Sequence, residues 1–148
     1  MNNIRVRVKK VHPNAVIPQY QTKGAAGFDL VAVEDVVIAP WETKLVPTGI
    51  AVEIPWGYEM QIRPRSGFSL KTSLRIANAP GTIDSDFRGE VKIIVTNTSE
   101  NKGFYIKRGD RIAQGVIAPV MRAVFEEVDD LSETERGAGG FGSTGVRG

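Results

Sequence analysis

Apolar and polar residues alternate along most of the chain, and helical spacing is nearly absent. Ile4 to Val11 reads IRVRVKKV, Lys44 to Pro55 KLVPTGIAVEIP, Tyr58 to Pro64 YEMQIRP and Glu90 to Ser99 EVKIIVTNTS. Alternation sends successive side chains to opposite faces of an extended segment, so each run is expected to be a strand with one buried face. Turn formers stand between the runs, as in VHPN, APWE, IPWG and NAPG, within a chain of 148 residues that holds 16 glycines and 8 prolines. Many short strands separated by turns predict an all-β sandwich or barrel. Only SGFSLKTSL, Ser66 to Leu74, offers a short helix, with Ser66 at its N-cap.

The length suits one domain with its own core. The chain has no cysteine. This excludes a disulfide framework, thiol catalysis and thiolate metal sites, and it makes a reducing compartment the natural expectation. The N-terminus alternates basic and apolar residues and lacks a continuous apolar segment, and no later segment approaches the length of a membrane span. A soluble, cytoplasmic protein without a membrane partner is expected. His12, beside Pro13, is the only histidine and reads as a loop residue. A tightly held zinc is therefore nearly excluded, and any metal should be a hard ion on oxygen ligands. Magnesium arriving with a phosphorylated substrate is the natural case.

Charge sharpens this picture. The 19 bases against 17 acids are too nearly balanced to argue for a nucleic-acid partner. EEVDDLSETE, Glu126 to Glu135, carries six acids and no base, so the rest holds 19 bases against 11 acids, a formal +8. A basic body with an acidic segment suits a small polyanionic ligand, and equally a solvated surface with an acidic linker. From Arg136 the chain runs RGAGGFGSTGVRG. Such a segment has too little apolar surface to order itself, which fits a disordered tail. It also fits a flap whose backbone N–H groups close over phosphates, with Phe141 as the anchor. The expected division is a β body over 1–125 and, within the same domain, an acidic linker and glycine-rich lid over 126–148.

Three short stretches carry candidate chemistry, and two others lose theirs in context. In PRSG, Pro64 to Gly67, a guanidinium, a hydroxyl and the amides of a helix start together make an anion site, or else a strand-ending turn with a surface arginine. In AAGFDL, Ala25 to Leu30, Phe28 and Leu30 on the core face leave Asp29 pointing to solvent or to a site. In GTIDSDFRGE, Gly81 to Glu90, Asp84 and Asp86 are two positions apart. An extended segment would put both on one face, where they repel unless a turn or a cationic neighbour relieves them. Arg108-Gly109-Asp110 reads as a hairpin turn, and Asn97-Thr98-Ser99 fits a glycosylation sequon that carries no weight without a secretory signal.

AGFDL, PRSG, GTIDSDFRGE, RGDRIAQ and RGAGGFGSTG follow one another in the order of the five motifs of the trimeric dUTPases, and the chain resembles that family from Ala26 to Gly145. The resemblance implies a homotrimer of jelly-roll-like β-barrel subunits that hydrolyses dUTP to dUMP and pyrophosphate with Mg2+. Such an enzyme keeps uracil out of DNA and supplies dUMP for dTMP synthesis. It also implies active sites shared between subunits, one giving motifs one, two and four, a second the third motif, and another the closing tail.

Carried over by position, Asp84 is the general base that activates water at the α-phosphorus, and Asp29 holds magnesium through a water. Arg65, Ser66 and Gly67 bind phosphate oxygens and Gln114 assists them. Asn78 with the backbones of Gly81 and Ile83 reads the uracil edge and excludes the methyl of thymine. Phe87 packs on the deoxyribose and crowds a 2′-hydroxyl; many members have tyrosine there, so no phenol role carries over. Arg136 reaches the terminal phosphate, Phe141 stacks on uracil, and Gly142, Ser143 and Thr144 add phosphate contacts. Asp86 is expected to be structural, paired with Arg88. Two alternatives remain. The related dCTP deaminases use a glutamate ten residues after the aspartate of the ID motif, here Asp84, where this chain has Ile94, which shuttles no protons. A binding or regulatory protein on the same trimer is the other.

Overall fold

The structure, a computed structural model, describes all 148 residues. The alternating runs become strands: β1 (Arg7–Lys10), β2 (Phe28–Val31), β3 (Val36–Ile38), β4 (Thr43–Glu53), β5 (Tyr58–Arg63), β6 (Leu74–Ile76), β7 (Gly81–Ile83), β8 (Glu90–Asn97), β9 (Phe104–Ile106) and β10 (Arg111–Pro119). One helix, α1 (Ser66–Lys71), interrupts them. Two four-stranded sheets form, in the orders β1-β4-β8-β6 and β2-β10-β5-β7, beside the two-stranded pair β3-β9. The all-β architecture expected from the alternation is the one found, and its sheets over one core fit the jelly-roll-like fold that the resemblance implies.

The core explains the arrangement. Leu30, Met60, Ile62 and Ala113 from one sheet meet Val46, Ile50, Leu74 and Ile93 from the other in a single apolar cluster. Each large side chain buried there contributes about 1.5–3 kcal/mol. Strand β8 displays the period well, with Val91, Ile93, Val95 and Asn97 buried and Lys92 exposed between them. Asn97 is polar at a core position and 0% exposed, so its amide is satisfied internally. Its Nδ2 donates to the carbonyls of Ile38 (3.0 Å) and Lys102 (2.9 Å), and its Oδ1 accepts from Ser73 Oγ (2.7 Å) and the Ser99 amide (3.0 Å). The sequon asparagine is thus a core residue that ties loops together.

Two local expectations are corrected, and for the acids of GTIDSDFRGE the turn is the alternative that holds. Helix α1 starts at Ser66, so its N-cap is Arg65, with extended backbone and no side-chain cap bond, and Leu74 already belongs to β6. The Arg108-Gly109-Asp110 turn is tight, with Gly109 at φ 93° and Asp110 Oδ2 accepting from the Lys107 amide at 2.9 Å. It is not a hairpin, because β9 pairs with β3 while β10 pairs with β2 and β5. The acids Asp84 and Asp86 do not share a strand face, because β7 ends at Ile83 and the Phe87 amide bonds back to the Asp84 carbonyl (3.2 Å) in a turn.

After β10 the chain leaves the body. The Val120 amide bonds to the Gly57 carbonyl at 2.9 Å, and every residue from 121 to 138 is exposed. The glycine-rich end turns on itself, with amide-to-carbonyl bonds Gly139 to Arg136 (3.2 Å), Ser143 to Gly140 (3.0 Å) and Gly145 to Gly142 (2.9 Å). No helix is long and apolar enough to cross a membrane.

Candidate active site

Strand β10 lies between β2 and β5, and its register sets Gln114 opposite both Asp29 and Arg63. Paired residues share a sheet face, so Gln114 and Asp29 stand together on the face away from the core. Phe28 and Leu30 are buried as the alternation required, and Asp29 points the other way. Its side chain is only 15% exposed, and two guanidinium groups cover it. Arg65 Nε meets Oδ1 at 2.8 Å and Arg111 Nη1 meets Oδ2 at 3.3 Å. Arg65 also donates from Nη1 to the Arg111 carbonyl at 3.1 Å, so the two arginines are locked to each other as well as to the carboxylate. One acid against two fixed bases leaves a locally cationic cluster suited to phosphate oxygens.

Gln114 closes the cluster from behind. Its Nε2 donates to the Pro64 carbonyl at 2.9 Å, which fixes the chain just before Arg65, Ser66 and Gly67. Ser66 and Gly67 open α1 and are exposed. The amide of Gln114 lies so close over Gly27 that any Cβ there would overlap Oε1. Hence AGFDL, PRSG and RIAQ converge on one spot although about 85 residues separate the first from the last.

Sequence reading missed Arg111 as part of this spot. Strict alternation would put positions 111 and 114 on opposite faces. A register shift between Arg111 and Ala113 breaks the parity: Arg111 pairs with Val31 while Gln114 pairs with Asp29, and both face Asp29's side of the sheet. Nothing local in RGDRIAQ marks such a bulge.

A second cluster forms at the other edge of the same sheet. Gly81 pairs with Ile62, and a Cβ on it would stand 3.1 Å from Ile62 Cβ and 3.2 Å from Asn78 Nδ2, so Asn78 and the β7 backbone lie close together. Ile83 pairs with Met60, and Asp84 follows it, exposed. The ring of Phe87 lies over Gly89, where a Cβ would come within 2.6 Å of Cζ. Asp86 takes part in no ion pair; Arg88 turns instead to Glu53, Nη2 to Oε1 at 3.7 Å, and to the Ser85 carbonyl at 2.6 Å. The expected Asp86–Arg88 pair is therefore absent, because the turn aims the two side chains apart.

The two clusters do not meet within one chain. Between β7 and β2 lie β5 and β10, so they stand three strand spacings, about 14 Å, apart across the sheet. Ile83 opposite Met60 and Asp29 in line with Arg63 differ by three positions, about 10 Å along the strands. The tail is separate again. Arg136 donates from Nε to the Gly139 carbonyl at 2.8 Å, and Phe141, at φ 52°, is fully exposed beside Gly142, Ser143 and Thr144, with no bond to the body.

An open cleft of about 540 Å3 lined by His12, Asn14, Asp35, Tyr105, Lys107 and Arg108 holds none of the candidate residues. Within it the Tyr105 hydroxyl donates to Asp35 Oδ2 at 2.6 Å and the Arg108 amide to Oδ1 at 2.8 Å. The phenol hydrogen bond, then the amide, hold the Asp35 carboxyl below its ordinary range, and Asp35 in turn raises Tyr105. Both carboxylate oxygens of that acid are satisfied by hydrogen bonds.

No three acidic or histidine side chains of the chain cluster to hold a metal. Both carboxylate oxygens of Asp29 are taken by arginines, so a hard ion could be reached from it only through a water. Such an ion would bring its remaining ligands with it.

The model of the dUTPase family matches residues 13–145. The chain is 58% identical over 142 residues to the deoxyuridine 5'-triphosphate nucleotidohydrolase of Nautilia profundicola, covering 96% of this chain and 99% of that one. It is 52% identical over 143 residues to the protein of the same name from Helicobacter pylori J99, covering 97% and 98%. Among solved structures it is similar to the Staphylococcus bacteriophage 80alpha dUTPase with dUPNHPP, at a TM-score of 0.90 and 33% identity, covering 97% of this chain and 100% of that one. A dUTPase from phage phi11 of S. aureus, described with a structural Mg(II) ion, superposes at a TM-score of 0.80 and 28% identity, covering 86% of this chain and 98% of that one.

Proposed function

The chain belongs to the dUTPase family, an enzyme that hydrolyses dUTP to dUMP and pyrophosphate, and from that premise we propose which residues do so and how. The separation of Asp84 from the Asp29–Arg65–Gln114 cluster carries the reading. A base must come within about 3 Å of the water it activates. A single chain sets the two groups more than a nucleotide's phosphate chain apart, which supports a site completed by a neighbouring copy; the homotrimer that the family implies supplies one. One copy supplies Asn78, Gly81, Ile83, Asp84 and Phe87, a second supplies Asp29, Arg65, Ser66, Gly67 and Gln114, and a tail supplies Arg136, Phe141, Gly142, Ser143 and Thr144.

In this arrangement Asp84 takes a proton from a water as its oxygen attacks the α-phosphorus. The bond from that phosphorus to the bridging oxygen breaks, and pyrophosphate leaves with the electron pair. Arg65, with the hydroxyl of Ser66 and the Gly67 backbone, holds phosphate oxygens as charge builds on them. Gln114 keeps the loop that bears Arg65 in place. Magnesium neutralises charge on the triphosphate when bound, with Asp29 reaching it through water. The exposed glycine-rich turns present free amides, so the tail closes over the phosphates of a neighbour's nucleotide, with Phe141 stacked on uracil.

Base choice is assigned to Asn78 with the backbones of Gly81 and Ile83, which read the uracil edge and exclude the methyl of thymine; the closeness of Asn78 Nδ2 to Gly81 supports it. Phe87 over Gly89 lies against the sugar and crowds a 2′-hydroxyl. A cytoplasmic location is the natural one for a cysteine-free nucleotide enzyme. Deamination of dCTP is disfavoured by Ile94, an apolar side chain in β8. Pyrophosphate release measured over dUTP, dTTP, dCTP and UTP, with and without Mg2+, tests the whole reading. Release from dUTP alone, dependent on the metal, is expected; comparable turnover of dTTP or UTP would sink the proposed pocket, and ammonia from dCTP would sink the reaction.

A further inference from the structure

We propose that Arg88 is a positioning residue for Asp84, held in turn by Glu53; the inference rests on reading Asp84 as the base. Asp84 lies on a short connection that leaves β7 in one sheet and enters β8 in the other. Such a crossover is exposed, and its only backbone bond is the one from the Phe87 amide to the Asp84 carbonyl at 3.2 Å. The Arg88 guanidinium supplies what the backbone lacks. Its Nη1 donates to the Ser85 carbonyl at 2.6 Å and to the Phe87 carbonyl at 3.3 Å, tying together the two residues that flank Asp86. Its Nη2 faces Glu53 Oε1 at 3.7 Å.

Glu53 is the last residue of β4 and is itself held by Arg7 of β1, Nη1 to Oε2 at 3.2 Å. The loop is therefore clamped to the sheet it enters, away from the sheet whose strand β7 leads into Asp84. A charge-assisted bond to a loop carbonyl is stronger than a neutral one, whereas the half-exposed Glu53–Arg88 pair is screened by solvent. The direct clamp on Ser85 should matter more than its outer support. A base displaced by about 1 Å loses on the order of 10²-fold in rate, so losing the clamp should appear in turnover before it appears in stability.

A double-mutant cycle tests this. Arg88→Ala should lower kcat about tenfold or more with KM for dUTP within about twofold, Arg88→Lys should recover part of it, and Glu53→Gln should cost less than Arg88→Ala. In an Asp84→Asn background, Arg88→Ala should cost nothing further, because the group it positions is gone. An undiminished kcat in Arg88→Ala, or an equal additional loss in the Asp84→Asn background, overturns the assignment. Near-normal turnover of Asp84→Asn itself is a different result and overturns the base. If Arg88→Ala does not fold, Arg88→Lys and Glu53→Gln carry the test: normal kcat in both overturns it.

Discussion

Arg65 and Asp29 form an ion pair of 2.8 Å across the gap between the end of β5 and the middle of β2, and Arg111 grips the other carboxylate oxygen. Asp29 therefore orients both guanidinium groups, including that of Arg65, which we propose binds phosphate oxygens. Asp29→Ala should leave both arginines unanchored and lower kcat/KM for dUTP by about tenfold or more, with the fold retained by circular dichroism. Steady-state kinetics with unchanged kcat/KM would remove Asp29 from the site.

Gly27 has no side chain where the Gln114 amide crosses it. Gly27→Ala should push Gln114 off the Pro64 carbonyl and loosen the loop that carries Arg65. A loss of about tenfold in kcat/KM is expected, with little change in the thermal midpoint. Wild-type kinetics in this variant would show that Gln114 is not needed where it stands.

Asp84 and Asp86 are not equivalent, since one follows β7 directly and the other sits in the turn beyond it, outside any ion pair. Asp84→Asn should reduce kcat roughly 10²-fold or more while nucleotide binding survives, and Asp86→Asn should stay close to wild type. Equal losses in the two variants would refute the separation of roles.

The tail contributes nothing to the core, since residues 121 to 138 are exposed and the bonds after them are internal. Truncation before Arg136 should cripple hydrolysis and leave the thermal midpoint and the oligomeric mass unchanged. A truncated protein with full turnover would return the tail to a mere appendage.

The Asp35–Tyr105 hydrogen bond titrates at both ends. A lowered Asp35 pKa means stability that is present above the ordinary carboxylate value and lost as pH falls through the folded one. A raised Tyr105 pKa means stability present below the ordinary phenol value and lost as pH rises through the folded one. Tyr105→Phe should move the Asp35 titration, followed by carboxyl NMR shifts, back up toward the ordinary range, with dUTP turnover unaffected. An unmoved titration would deny the phenol its role.

Much of this protein was legible without a structure, because a strand's buried face is a local property. The alternation in EVKIIVTN and YEMQIR located β8 and β5, and the FDL triplet already turned Asp29 away from the core. The segment from Arg136 on declared itself by having little apolar to bury beyond Ala138, Phe141 and Val146. What stayed hidden depends on partners far along the chain. Arg111 joins Asp29 only because a bulge in β10 reverses the strand's parity, and Asn97 is a core residue only because Ile38, Ser73 and Lys102 surround it. Arg88 abandons Asp86 because the chain turns after β7 and brings Glu53 within reach. The distance between Asp84 and the Arg65 cluster is likewise a matter of strand order. Residue types and their periods determined which side chains could do chemistry and which faces were buried; register, bulges and sheet order, set by contacts between distant segments, decided which of those side chains meet.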